Sequence, residues 1–254
     1  MTPEKIVERL RAAGCVFAED EARLLVDSAP SAARLDEMVA ERVRGVPLEH
    51  VLGWAEFCGL RVAVAPGVFV PRHRTELLVR LAAAEITGPA VLVDLACGSG
   101  AIAAAVADRV DGLDVYAADI EPAAVAVAKR NLAPYGGRVY PGDLFAPLPG
   151  ELRGRVDVLV ANVPYVPSGA VELLPPEARE HEPLRALDGG ADGLDVLRRV
   201  AAQAPVWLRP GGTLFSEIGV DQVEAARAAL TGAGLTPTVV ADEDLDATVV
   251  VGRR

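Results

Sequence analysis

Two stretches of this chain carry residue types that could do chemistry together if a folded sheet brought them side by side. Val91-Leu92-Val93-Asp94-Leu95-Ala96-Cys97-Gly98-Ser99-Gly100 reads as a buried strand that ends in an acid and a glycine turn. Ala161-Asn162-Val163-Pro164-Tyr165 reads as a second buried strand that ends in a polar tetrapeptide. In an open parallel sheet, ligands sit beyond the carboxyl ends of neighbouring strands. One stretch could therefore hold a nucleotide-like group, and the other whatever reacts with it.

Gly98-Ser99-Gly100 fits a turn that brings backbone close to a ligand at a helix N-terminus. With Ala103 it satisfies the loose G-x-G-x-x-G/A pattern, although a tight strand-to-helix turn with no ligand reads the same way. Asp119, followed by Ile120, stands at the end of the next predicted strand, where a carboxylate accepts hydrogen bonds from ribose hydroxyls. Its purely structural alternative is an N-cap for the helix beginning near Pro122. Asp94 separates the possible cofactors. A carboxylate just before the turn would repel a pyrophosphate and would suit a ligand bearing an ammonium or sulfonium group. S-adenosylmethionine has both, plus a ribose for Asp119. After the third strand come Gly142-Asp143-Leu144. Asp143 could accept from an adenine amino group and Leu144 could pack on the ring, or Asp143 is an ordinary loop acid.

Asn162-Val163-Pro164-Tyr165 is the candidate acceptor clamp. Methylating an amide nitrogen is difficult because its lone pair is delocalised into the carbonyl. A site could hold that nitrogen in line with a sulfonium methyl and accept hydrogen bonds from both of its N–H groups. The Asn162 side-chain oxygen and the Val163 backbone carbonyl can do so, with Tyr165 stacked on the planar amide. Catalysis would be mainly positioning and desolvation, since the proton can leave after transfer. The structural alternative is a strand end with a turn-forming proline and a packed tyrosine. His50, His73 and His181 are scattered, Trp54 and Trp207 read as packing residues, and neither a Ser/His/Asp set nor metal-type spacing is present.

The elements that would position these groups follow from periodicity. Thr2-Pro3 reads as an N-cap with proline at the first helical position, and helices are expected after it, over 19–28 and over 32–44. Phe57, Leu60, Val62, Val64, Val68 and Val70 predict two short strands around a Pro66-Gly67 turn. A helix follows over 75–86. Strands at 90–95, 114–119, 137–141, 156–161, 212–217, 235–240 and 247–252 then alternate with helices at 100–109, 122–133, 193–207 and 219–232. That alternation predicts an α/β fold with a mostly parallel sheet covered on both faces, the last strand antiparallel. Residues 163–191 lack a period and read as a working loop. The division expected is 1–50 helical, 51–74 hairpin linker and 75–254 catalytic.

The chain has 254 residues and a formal charge of −11, from 36 acidic and 25 basic side chains. Such a balance argues against a bulk electrostatic hold on nucleic acid or an anionic membrane. The N-terminus lacks a signal-peptide core, and no apolar run approaches the roughly 20 residues of a membrane span. Cys15, Cys58 and Cys97 read as reduced thiols in a cytoplasm.

The sequence resembles the protein-(glutamine-N5) methyltransferases that modify the Gly-Gly-Gln glutamine of peptide-chain release factors, a family with a sister group acting on a ribosomal protein. The likeness runs through Gly45-Val46-Pro47-Leu48, Val51-Leu52-Gly53 with Phe57, and Phe69-Val70-Pro71-Arg72. It continues in Asp94 to Ala103, Ala118-Asp119-Ile120 and Asn162 to Tyr165. It ends in Glu182-Pro183, Ala186 to Asp195 (with its specific Gly189-Gly190-Ala191-Asp192-Gly193-Leu194), Pro210-Gly211-Gly212 and Glu217-Ile218-Gly219. The resemblance implies a Rossmann-like class I methyltransferase fold with a seven-stranded, mostly parallel sheet, a small N-terminal helical substrate domain and a β-hairpin linker. It also implies S-adenosylmethionine against Ala96 to Gly100, Asp119 and Leu144, and a glutamine held by Asn162 to Tyr165.

Two departures stand out. Val163 replaces the first proline of the family's Asn-Pro-Pro-Tyr, which removes a fixed φ. Pro71-Arg72-His73-Arg74-Thr75-Glu76 replaces Pro-Arg-Pro-Glu-Thr-Glu, so a base stands where the family has an acid. The resemblance therefore implies a diverged relative acting on a protein glutamine. Its rivals are adenine-N6 methylation, small-molecule N-methylation and a non-catalytic cofactor binder.

Overall fold

A computed structural model describes residues 1–254. The chain opens with α1 (Pro3–Ala12), α2 (Ala18–Ser28), α3 (Ala32–Val43) and the single turn α4 (Leu48–Leu52). Their apolar faces close on a cluster of their own around Ile6, Leu10, Leu25, Met38, Val39 and Val51. Ser31 caps α3 by accepting from the Arg34 N–H at 3.2 Å. Thr2 stands at the N-cap of α1 with Pro3 behind it, but its side chain makes no capping bond. Arg42 of α3, buried, donates to Glu21 of α2 at 2.6 Å.

A two-stranded hairpin follows, β1 (Trp54–Phe57) against β2 (Leu60–Ala63). It closes at Cys58-Gly59, with φ of 54° and 82°. Two consecutive positive φ values are what a two-residue hairpin needs to match strand twist. This corrects the expectation of a Pro66-Gly67 hairpin. Pro66-Gly67 forms a separate turn in which the Val68 N–H reaches the Ala65 carbonyl at 3.0 Å. The alternating valines beyond Ala63 record burial rather than ladder pairing: Val64, Val68 and Val70 are all buried.

From there strands and helices alternate: α5 (Glu76–Glu85), β3 (Ala90–Leu95), α6 (Ala101–Arg109), β4 (Leu113–Asp119), α7 (Pro122–Leu132), β5 (Arg138–Pro141) and β6 (Val156–Ala161). After the short α8 (Pro176–His181) and α9 (Leu184–Leu187) come α10 (Asp195–Trp207), β7 (Leu208–Glu217), α11 (Val223–Gly232), β8 (Thr236–Asp242) and β9 (Ala247–Arg253). The seven strands beyond the hairpin form one sheet in the order β5-β4-β3-β6-β7-β9-β8. Pairing is parallel except for β9, which runs antiparallel to both neighbours. β7 starts earlier than its apolar run predicts, and its register against β6 shifts between Val156 and Val158.

Side-chain alternation divides the core between the two faces of the sheet. Leu92 joins a cluster with Leu78, Ile102, Val106 and the hairpin's Phe57. Val93 and Leu95 join the opposite one, with Leu197, Trp207 and Leu230. Strand order turns back between β3 and β6, which start neighbouring crossovers in opposite directions. That switch point opens a crevice at the carboxyl ends of β3, β4, β6 and β7. The hairpin is pinned to this end by Asn131 of α7. Its side chain accepts from the Ala63 N–H at 2.9 Å and donates to the carbonyls of Ala63 (2.9 Å) and Ser99 (2.8 Å).

Candidate active site

A cavity of about 350 Å³ occupies the crevice. Ala96, Cys97, Gly98, Ser99, Asp119 and Ile120 line one part of it, and Asn162, Val163, Pro164 and Tyr165 another. The two stretches singled out in the sequence thus share one chamber.

The glycine-turn part is shaped by backbone. β3 runs into Ala96 (φ 51°), Gly98 (φ 54°) and Gly100 (φ 74°), three left-handed residues within five positions. A Cβ at Gly98 would meet nothing within 4 Å, whereas one at Gly100 would lie 3.2 Å from the Ala128 side chain. Gly98 thus leaves space open beside the turn, while Gly100 lets α6 and α7 approach. The Asp119 carboxylate crosses from β4 to hold this turn: Oδ2 accepts from the Gly98 N–H at 2.8 Å and Oδ1 from the Glu121 N–H at 2.9 Å. Burial pushes its carboxyl above the ordinary range. Each oxygen keeps a further lone pair for a ligand hydroxyl.

Asp94 lies beneath the turn, wholly buried, and does not line the cavity. Its Oδ2 accepts from the Ala103 N–H at 3.3 Å, Oδ1 has no partner in the chain, and burial pushes the carboxyl up to about 8. Gly100 also stands behind the wall. Asp143 and Leu144 are not brought into the cavity. Asp143 turns outward into an ion pair with Arg199, and Leu144 is buried in the core facing α10 and α11. Leu144 adopts a left-handed backbone conformation (φ 49°), which its residue type does not reveal in the sequence.

Side chains make the tetrapeptide part. Val163 is 2% exposed and packs in the core beneath the site, so burial of a stiff β-branched side chain anchors the backbone where the family has a proline ring. No donor of the chain reaches its carbonyl. The Asn162 amide donates to Thr75 Oγ1 at 3.3 Å, and Thr75 donates to Glu217 Oε2 at 2.7 Å. Tyr165 donates to Glu217 Oε1 at 2.6 Å, and burial beside that carboxylate pushes its phenol upward. Arg74 Nε lies 3.3 Å from the same oxygen, so the base that departs from the family pattern has a carboxylate partner.

The Gly189–Leu194 run braces this part from behind. A Cβ at Gly189 would fall 2.6 Å from the Pro164 carbonyl oxygen, and one at Gly193 2.2 Å from that of Tyr165. Gln222 completes the brace, donating to the Tyr165 carbonyl at 2.7 Å and to the Asp192 carbonyl at 2.8 Å.

The segment 163–191 is more structured than its sequence predicts. It holds a 3-10 stretch at Ser168–Leu173 besides α8 and α9, each too short to show a period. Glu182 from this segment accepts from the Val70 N–H at 3.1 Å and from Arg72 at 2.7 Å, and burial raises its carboxyl. Glu177 of α8 receives Arg42 of α3 at 2.7 Å, so the wall of the cavity is tied to the N-terminal helices.

Thr75, Glu217, Gln222, Glu182 and Arg72 were not read as site residues from the sequence. Arg72, Thr75, Glu182 and Glu217 lie in stretches compared with the family pattern, and Glu217 is also an acid at the end of a buried predicted strand at the same sheet edge, whereas Gln222 carries no such signal. No group of three or more His, Cys, Asp or Glu side chains could hold a metal ion. No helix is long and apolar enough to cross a membrane.

Comparison with known proteins agrees with this architecture. Residues 59–174 match the family model described as methyltransferase small domain. The release factor glutamine methyltransferase of Geobacter sulfurreducens is 40% identical over 219 residues, covering 85% of this chain and 76% of that protein. That of Mycolicibacterium smegmatis is 41% identical over 233 residues, covering 89% and 82%. Among solved structures, a methyltransferase from Pyrococcus furiosus superposes with a TM-score of 0.57 at 15% identity, covering 77% of this chain and 89% of that one. A ribosomal protein L11 methylase from Lactobacillus delbrueckii subsp. bulgaricus gives 0.55 at 19%, covering 75% and 83%. These two structural likenesses establish the fold alone. By the sequence identity of its relatives over most of their length, the chain belongs to the release factor glutamine methyltransferase family.

Proposed function

We propose that this protein transfers a methyl group from S-adenosylmethionine to the side-chain nitrogen of a glutamine in a peptide-chain release factor, in the cytoplasm. The observation that carries the reading is the single cavity in which the Gly98 turn and Asp119 share walls with Asn162 and Tyr165.

The residues at the turn fit the cofactor. Asp119 has lone pairs to spare for ribose hydroxyls, Gly98 leaves open space, and the acids Asp119 and Glu121 line a region where an anionic pyrophosphate would be repelled. When bound, the cofactor supplies an activated methyl on a sulfonium. Everything else falls to the chain. Asn162 Oδ1 and the Val163 carbonyl accept the two amide hydrogens of the glutamine, so that electron density builds on its nitrogen. Tyr165, its hydroxyl fixed on Glu217, presents its ring to the amide plane. No strong base is required, because the nitrogen becomes acidic only once methylated.

In this reading residues 1–50 meet the protein substrate, 51–74 link, and 75–254 carry the chemistry. The charge of −11 disfavours nucleic acid as the substrate. The test is an incubation of the full chain with methyl-labelled S-adenosylmethionine and release factors from the same source. Mass spectrometry of the Gly-Gly-Gln peptide is expected to show one added methyl on glutamine. Cofactor binding by calorimetry without that gain would overturn the substrate assignment.

A further inference from the structure

Asn162 can serve an amide acceptor in only one of its two orientations. A side-chain carboxamide presents an oxygen at one end and an NH2 at the other, and the two are nearly the same shape. Turned one way, Asn162 offers the cavity an acceptor for the N–H of the incoming amide. Turned the other way, it offers two donors to a group that is itself a donor, and no hydrogen bond forms. Packing cannot choose between two orientations of equal shape. Only the polarity of the neighbours can.

We infer that Thr75 and Glu217 are positioning residues that fix which end of the Asn162 amide faces the cavity. The inference rests on the reading of Asn162 as the residue that holds the substrate amide. A threonine hydroxyl has one proton, and Thr75 gives it to Glu217 Oε2 at 2.7 Å. Thr75 Oγ1 can therefore only accept in its 3.3 Å contact with Asn162, so that contact takes the NH2 and leaves Oδ1 for the cavity. The polarity is set one step further back. Tyr165 at 2.6 Å and Arg74 at 3.3 Å also donate to Glu217, so the carboxylate acts purely as an acceptor. Thr75 and Glu217 are 3% and 2% exposed, so water cannot readily replace either partner. The same carboxylate holds the Tyr165 hydroxyl, which couples the ring and the amide to one anchor.

Three variants of the full-length protein test this. Thr75→Val removes the acceptor at nearly constant volume, and kcat with the release-factor substrate is expected to fall on the order of 10- to 100-fold, with the cofactor dissociation constant changed less than about twofold. Thr75→Ser, which restores the hydroxyl, is expected to recover most of that loss. Glu217→Gln keeps the shape but can donate to Thr75, reversing the relay, so a loss at least as large is expected. A role in packing alone predicts instead that Thr75→Val outperforms Thr75→Ser.

A second readout needs no turnover. In the 15N-labelled protein the Asn162 side-chain amide protons are expected to exchange slowly with water, and to lose that protection in Thr75→Val. Wild-type kcat in Thr75→Val, or unprotected Asn162 protons in the parent protein, would overturn the inference. Protected protons in a parent protein that methylates no release factor would uphold the positioning role and overturn the substrate reading instead.

Discussion

At the glycine-turn end of the cavity the shaping groups are backbone: three left-handed residues between Ala96 and Gly100 and a carboxylate, Asp119, whose bonds within the chain go to main-chain N–H groups. At the tetrapeptide end they are side chains from three distant parts of the chain, Arg74 and Thr75 before α5, Asn162 and Tyr165 after β6, and Glu217 at the end of β7. Backbone walls offer shape and generic hydrogen bonds, which many chemistries can share. A relay of side chains fixes the sense of one amide, which serves a single acceptor class. The difference assigns general binding to one end and choice of reaction to the other.

Breaking the two ends separately tests that division. The largest effect is expected at the tetrapeptide end. Asn162→Ala should lower kcat by about 100- to 1,000-fold, as loss of a transition-state hydrogen-bonding group does elsewhere, while calorimetry finds cofactor affinity nearly unchanged. A parallel loss of affinity would merge the two ends into one. Next comes Asp119→Ala, expected to weaken cofactor binding by roughly 10- to 100-fold, the worth of hydrogen bonds to a charged group. An unchanged dissociation constant would sink the ribose assignment.

A smaller effect concerns Asp94. Its carboxyl is pushed up to about 8 in the fold, above the unfolded value near 4. The folded state therefore holds the proton more tightly. The stability tied to it is complete below pH ~4 and is lost as pH rises through about 8. Without cofactor, Asp94→Asn should raise Tm by about 5 °C at pH 8.5 relative to the parent, a gain that disappears near pH 4.5. Parallel pH profiles would show that Asp94 is not the buried acid that matters. The smallest effect is expected at Asp143, which faces Arg199 outside the cavity. Asp143→Ala should leave cofactor affinity within about twofold, and a larger loss would restore the adenine contact that its place after β5 first implied.

The same division explains how much of the molecule could be read in advance. The glycine turn and Asp119 are local: each follows its own strand, and period-2 and period-3.6 patterns place those strands and helices to within a few residues. Asn162 to Tyr165 was visible because the whole clamp lies in four consecutive positions. The relay behind it was not, because Thr75 and Glu217 lie 142 residues apart and meet only once β7 is placed beside β6. The hairpin went astray for a different reason. Pro66-Gly67 is the stronger turn signal, yet Cys58 adopts the positive φ that its residue type seldom does, and burial of Val64 and Val68 mimics a strand.

The Asn131 side chain sets the grain at which this molecule can be cut and rejoined. Two of its three hydrogen bonds go to Ala63 on the hairpin and one to Ser99 in the glycine turn. A chimera that exchanged residues 1–63 for a segment of another protein would leave that carboxamide with its single bond to the turn unless the incoming edge offered an N–H and a carbonyl at the same place. The transplantable module is thus the helical unit joined to its hairpin, with α7 as the socket that receives it.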